Sequence, residues 1–221
     1  MAKDPICCIA VLEAREGADP AGLQAAWLAD DPIAALAPGA RYRRAIPVAS
    51  EERGFRPKRV YGIAHLWVDG AGDATALCRA LKAGPLADTE VMVIALRERV
   101  VIQGPERNGG ADGVVAYYYS TRKPGLAVDA FQAHWRDIHA PLVVPSPGIS
   151  RYVQYFPCPE TYGGDVEPKY DSLAVLTFPD KAAQAEFGAS EQNTVHQRND
   201  LPNLWDMTGG ALRFYVAAAG G

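Results

Sequence analysis

The chain has 221 residues, 48% of them apolar and 22% charged, and a formal net charge of −4. That balance belongs to an ordinary globular protein and excludes the disordered and fibrous classes. Basic residues are scattered apart from Arg41, Arg43 and Arg44, so the basic stripe of a nucleic-acid-binding surface is absent and no nucleic-acid partner is expected.

In chain order, Ile6 to Leu12 is an apolar run of strand length. A helix is predicted over Gly22 to Leu28, strands over Arg41 to Val48 and Val60 to Val68, a helix over Ala74 to Leu81, and a strand from Val91 to Ile102. Gln103 to Gly113 is rich in glycine and contains Pro105, which predicts a flexible connector. Val114 to Tyr119 then reads as a strand. Phe131, Trp135, Ile138 and Leu142 recur at helical spacing after Asp129, and Pro141 is expected to end that helix. Strands follow at Ser150 to Phe156 and Leu173 to Phe178, a helix covers Ala182 to Gly188 from a start near Asp180, and Ala211 to Val216 closes the chain as a strand. Gln192 to Asp200 is a polar stretch without an assigned element.

The chain also resembles itself. Leu23-Gln24-Ala25-Ala26-Trp27 lies on Phe131-Gln132-Ala133-His134-Trp135, Pro38-Gly39 on Pro147-Gly148, Arg41-Tyr42 on Arg151-Tyr152, and Gly62-Ile63-Ala64 on Ser172-Leu173-Ala174. The order of elements is therefore βαββαβ twice, with units at 1–103 and 113–217. Each unit is the ferredoxin-like arrangement, an antiparallel sheet with both helices on one face. Its strands are apolar at consecutive positions, as in Tyr117-Tyr118-Tyr119, the pattern of a sheet covered on both faces. The expected fold is thus α+β, with two ferredoxin-like repeats packed sheet to sheet as a pseudo-twofold α+β barrel.

Cys7, Cys8, Cys78 and Cys158 form no CxxC pair and read as reduced apolar fillers. No two histidines have metal-ligand spacing on one element and no glycine-rich phosphate loop precedes a helix, so neither a metal nor a nucleotide cofactor is expected. No apolar run approaches the roughly 20 residues of a membrane helix, and a soluble cytoplasmic protein without a membrane partner is expected.

Lys123-Pro124-Gly125-Leu126, Phe131, Trp135-Arg136, His139-Ala140-Pro141-Leu142, Pro147-Gly148, Arg151-Tyr152-Val153-Gln154 and Tyr170-Asp171 together resemble the EthD family of the dimeric α/β-barrel proteins. The resemblance covers Gly113 to Val216; the earlier half is a degenerate echo in which Asp31 falls where His139 stands. It implies a small-molecule enzyme of a catabolic or polyketide pathway that works without a cofactor, and it allows a homodimer. In related lactone isomerases a histidine in the His-x-Pro position and a tyrosine on the next strand act, which here are His139 and Tyr152. Ser172 and Val175 stand where the family often has glycine and glutamate, which puts a glutamate-dependent mechanism in doubt.

The residues themselves suit this reading. Histidine is the natural proton shuttle at neutral pH, so His139 is the candidate general acid/base, although as a helix-end residue it would equally favour the helix dipole. Tyr152 could donate to a developing oxyanion, and Gln154 shares its strand face. His65 shares a face with Ile63 and Trp67. Trp67, Tyr117, Tyr119 and Phe156 are expected to line a barrel cavity that takes a flat aromatic or polyketide-like ligand. His134 is expected on the helix surface. Three functions compete: a cofactor-independent lyase or isomerase, a metabolite-binding accessory protein, and a haem-handling monooxygenase that rests on the histidine alone.

Overall fold

Long runs of β-branched, aromatic and small apolar residues set the architecture, because each such run is best satisfied as a strand buried on both faces. The structure is a computed structural model that describes residues 6–30, 34, 41–48, 59–68, 76, 79–80, 89–163, 167–208 and 211–218. Strands within them are β1 (Ile6–Ala14), β2 (Tyr42–Val48), β3 (Val60–Val68), β4 (Thr89–Ile102), β5 (Val114–Ser120), β6 (Arg151–Pro157), β7 (Ser172–Phe178) and β8 (Leu212–Ala218). All pair antiparallel, in the order β1-β3-β2-β8-β5-β7-β6-β4 and back to β1, which closes an α+β barrel.

The expectation of sheets meeting face to face needs correction on this point. The strands join through their edges: β2 with β8, where Ala45 faces Ala218 and Val48 faces Tyr215, and β4 with β6, where Leu96 faces Pro157. Closure gives each described strand a hydrogen-bonded neighbour on both sides.

Alternation along each strand then decides what each side chain meets. Cys7, Ile9 and Val11 point into the barrel, whereas Cys8, Ala10 and Leu12 point outward with Trp27. The barrel centre is filled by Cys7, Ile63, Tyr117, Tyr119, Tyr155 and Phe214 among others. An eight-stranded barrel has room for side chains or for one small ligand. Here the described side chains pack against one another across the barrel centre.

Helix α1 (Pro20–Ala29) begins where Asp19 accepts hydrogen bonds from the Ala21 and Gly22 amides, both at 3.0 Å, with Pro20 preset for the first turn. It buries Trp27, whose Nε1 donates to the Ala45 carbonyl at 3.2 Å. The helix predicted over Ala74 to Leu81 lies, for the most part, outside the described residues, as do Asp31 and Pro38-Gly39.

Beyond the connector, α2 (Val128–His134) runs through a π-turn (Trp135–His139) into α3 (Ala140–Val143). Pro141 therefore does not end the helix. Helix α4 (Lys181–Ala189) is capped by Asp180, whose carboxylate accepts from the Ala183 amide at 2.8 Å. The polar stretch after it is also helical, a π-turn (Gln192–Gln197) followed by α5 (Arg198–Leu204). These helices cover the outer face of β5 to β8, over Ala116, Tyr152, Leu176 and Phe178.

The connector differs from the flexible segment its composition suggests. The Gly104 carbonyl accepts from Arg151 Nη1 at 3.3 Å, and a Cβ on Gly104 would lie 1.9 Å from the Ser150 carbonyl oxygen. Gly109 bridges Ala217, and its Cβ position lies 1.8 Å from the Val216 oxygen. Glycine serves here for close approach to the barrel, not for freedom. Limited proteolysis is expected to spare Gln103 to Gly113 in the native protein; first cleavage there would contradict this packing.

The Trp27 ring lies against Gly62, where an added Cβ would meet three of its ring atoms at 3.0 to 3.1 Å. The ring is 3% exposed and tethered through Nε1, so it has nowhere to go. Gly62→Ala is expected to cost about 1–3 kcal/mol by overpacking, read as a lower urea midpoint with an unchanged slope.

Candidate active site

The site begins with a hydrogen-bonding problem in the π-turn. There the Ala140 amide bonds the Trp135 carbonyl, five residues back, where an α-helix would use the Arg136 carbonyl. The next possible donor to Arg136 is residue 141, a proline with no N–H. Arg99 of β4 supplies the missing hydrogen, Nη1 to the Arg136 oxygen at 3.3 Å. Gln154 of β6 completes the brace: its Nε2 donates to the Trp135 oxygen at 3.0 Å and its Oε1 accepts from Arg99 at 2.6 Å.

The wider turn brings His134 and His139, five residues apart, onto one carboxylate. His139 Nδ1 lies 2.9 Å from one oxygen of Asp200 and His134 Nε2 lies 2.8 Å from the other. Asn203 Nδ2 donates to Asp200 as well, at 3.2 Å. Burial opposes ionisation of Asp200, but the hydrogen bonds from His139, His134 and Asn203 outweigh it and hold the carboxyl well below its usual range. An ionised carboxylate only accepts, so both imidazoles must donate to it. His139 thus carries a hydrogen on Nδ1, and in the neutral imidazole the lone pair lies on Nε2. His134 is not a bystander on the helix surface.

His139 is 5% exposed and stands edge-on to Trp205, with ring centroids 4.7 Å apart. Trp205 is itself fixed, its Nε1 donating to Ser172 Oγ at 3.1 Å while Ser172 donates to the Ser120 carbonyl at 3.1 Å. These groups form one wall of a cavity of about 430 Å³ between the outer face of β5 to β8 and the helices. Tyr152, Trp135, Tyr118, Phe187 and Leu201 line it too. Burial pushes the Tyr152 phenol well above its ordinary value, with Gln154 and Trp135 pulling back, so it remains a donor at any working pH.

Of the side chains expected to form a site, only His139 and Tyr152 meet in this cavity. Gln154 is fully buried behind it as the brace described above, and Phe156 packs on Trp135, centroids 4.7 Å apart. His65, Tyr117 and Tyr119 face the opposite way, into the filled barrel. There His65 Nε2 and the Tyr117 hydroxyl are 2.6 Å apart, and Cys7 Sγ is 3.8 Å from His65 Nδ1. Burial, and then Arg43, lower the His65 pKa well below its ordinary value, so that imidazole is neutral core. Trp67 sits under the Arg41 guanidinium at 4.2 Å. The strand register separates the two sets, since Tyr152 and Tyr155 are an odd number of positions apart.

Residues 123–208 match the family model of the EthD domain. His134, His139, Tyr152, Asp200 and Trp205 all fall inside the matched stretch. A search among curated proteins returns no match. Among solved structures the chain is similar to an anthrone oxidase-like protein, with a TM-score of 0.65, 9% identity, and coverage of 98% of this chain and 92% of the other. It is also similar to a variant of chlorite dismutase from Candidatus Nitrospira defluvii, with a TM-score of 0.56, 7% identity, and coverage of 99% and 94%. At such identities the likeness concerns the fold alone, a closed antiparallel barrel with helices on its outer face. Among the described residues no helix is long and apolar enough to cross a membrane.

Asp200 and Trp205 were not singled out from the sequence. The signal lay in Leu201, Leu204 and Trp205, which mark an apolar face just after the polar stretch and place Asp200 beside it.

Asp200→Asn is expected to destabilise the fold at neutral pH by about 1–3 kcal/mol, because a buried and a half-buried imidazole lose a charged acceptor. Folding lowers the Asp200 pKa, so its contribution is full above the unfolded value near ~3.9 and is lost as pH falls through the depressed native value. The difference in melting temperature between wild type and Asp200→Asn should therefore narrow from pH 5 to pH 2. A constant difference would mean that the carboxylate is not the stabilising form.

Proposed function

We propose that this EthD-domain protein is a small-molecule enzyme in which the His139–Asp200 pair moves a proton on a substrate held between the outer face of the barrel and its helices. The observation that carries the reading is the 2.9 Å contact that orients His139 at the cavity wall. Asp200 fixes the tautomer and would stabilise the imidazolium formed when Nε2 takes a proton, the role a buried carboxylate plays behind a catalytic histidine.

We infer a cofactor-independent lyase or isomerase chemistry. His139 Nε2 removes a proton from carbon next to a carbonyl, the electron pair moves onto the carbonyl oxygen, and the Tyr152 hydroxyl donates to that oxygen. Return of the proton to another atom completes an isomerisation; expulsion of a leaving group completes an elimination. Trp135, Phe187 and Trp205 suit an aromatic or polyketide-like body. The same logic supports descent from a duplicated unit, since β4-β1-β3-β2 and β8-β5-β7-β6 repeat one strand order around the barrel.

One feature favours a second reading. A histidine that hands its Nδ1 hydrogen to a carboxylate is also oriented as metal-ligating histidines are, so the haem-handling alternative would use His139 as the iron ligand. Titration with hemin separates the two, because a Soret shift lost in His139→Gln supports the haem reading alone.

His139→Gln should lower turnover of a substrate by about 100-fold to 10,000-fold with little change in its affinity, measured by steady-state kinetics and calorimetry on one preparation. Unchanged turnover would leave a metabolite-binding accessory protein as the better reading.

A further inference from the structure

The cavity wall carries charge that the proton-transfer reading does not use. Arg198, the first residue of α5, and Arg213 of β8 both line it and are both exposed, which places them at its open side. Among the described residues neither guanidinium has an ion-pair or hydrogen-bond partner. Other arginines of this chain are engaged: Arg122 with Asp171, Arg151 with Glu106, and Arg99 with Gln154. The acidic side chain on the cavity wall is Asp206, and its Oδ1 already accepts from the amide and hydroxyl of Thr208 at 2.8 and 2.7 Å. The polar amides along the wall are also committed, Gln184 to the Tyr215 hydroxyl at 2.7 Å and Gln197 to Ser146 Oγ at 2.9 Å. What remains for a ligand is the aromatic wall of Trp135, Tyr152, Phe187 and Trp205 together with two uncommitted fork-shaped cations.

We propose that the ligand of this cavity is an aromatic anion, a flat apolar body with a carboxylate or similar acidic group held by Arg198 and Arg213. This rests on reading the cavity as the ligand site. Guanidinium pairs planar anionic groups in two-point contact, while the apolar lining takes the rings. Binding by such cations holds the acidic group at the open side and turns the opposite end of the ligand toward His139. A neutral analogue would fill the same depth without that orientation.

The test uses two dyes of nearly the same shape, the anionic 8-anilino-1-naphthalenesulfonate and its neutral counterpart N-phenyl-1-naphthylamine, each titrated by fluorescence. Wild type should bind the anion about 10-fold or more tightly than the neutral dye, with an affinity that falls as salt is raised. In the Arg198→Ala/Arg213→Ala protein, affinity for the anion should drop to that of the neutral dye, which itself stays the same. Should that double variant fail to fold, single Arg198→Gln and Arg213→Gln proteins give the same reading in smaller steps. Location is checked with Gly188→Trp: Gly188 lines the cavity and a Cβ there meets nothing within 4 Å, so the indole should occupy the space and remove both dyes. Equal affinity for the two dyes, an unchanged preference without the arginines, or anion binding that survives Gly188→Trp would each overturn the proposal. Because these are equilibrium measurements, they stand apart from proton transfer. Unchanged turnover in His139→Gln would end the enzyme reading and leave the anion site in place.

Discussion

A buried carboxylate must be compensated, and in this protein the compensation of Asp200 organises everything around the cavity. Two histidines and an asparagine spend their donors on it, and they come from the two helical stretches that cover the second half of the barrel. The contact joins those stretches more firmly than the apolar packing of Leu201 and Leu204 could alone, since a charged acceptor left without its donors would carry the desolvation cost of an ion. It also sets a chemical state. With Asp200 ionised, the imidazole at 139 has no freedom of tautomer, and the nitrogen with the lone pair is the one left for the cavity.

That arrangement depends in turn on a departure from regular helix geometry. The π-turn costs a standard hydrogen bond at Arg136, and Pro141 ensures that no backbone group restores it. The cost is absorbed by Arg99 and Gln154, which reach over from β4 and β6. Irregular helix turns of this kind often mark functional positions, and here the reason is visible: without the added residue, His134 and His139 would diverge around the helix and could not share one acceptor. Gln154, expected to touch substrate, instead keeps the turn in place.

The barrel was largely legible in the sequence because its strands are long runs of β-formers and its repeat keeps the order of Trp, Pro-Gly and Arg-Tyr. His139 and Tyr152, which the resemblance of their motif singles out, lie on one cavity wall. Two things were not legible. A strand such as Tyr117-Tyr118-Tyr119, apolar at every position, hides which face points inward, so His65, Tyr117 and Tyr119 could be assigned to a cavity that their alternation directs them away from. Asp200 and His134 were invisible because their partnership spans 66 residues and arises only when the π-turn adds its extra residue. Glycines misled in a third way, since Gly104 and Gly109 read as freedom but serve as points of close approach.

The two halves of the barrel treat the same surface differently, and one position accounts for much of it. Gly62 lets the Trp27 indole lie against the sheet, tethered through Nε1 to the Ala45 carbonyl. At the aligned position Ser172 carries a Cβ and a hydroxyl, and the hydroxyl is taken by Trp205 rather than by the aligned Trp135. Trp135 turns instead onto Phe156, and the sheet surface at Ser172 and Ala174 is left as the floor of the cavity. The catalytic candidates gather over this floor, where the cavity lies beside a histidine that a carboxylate orients.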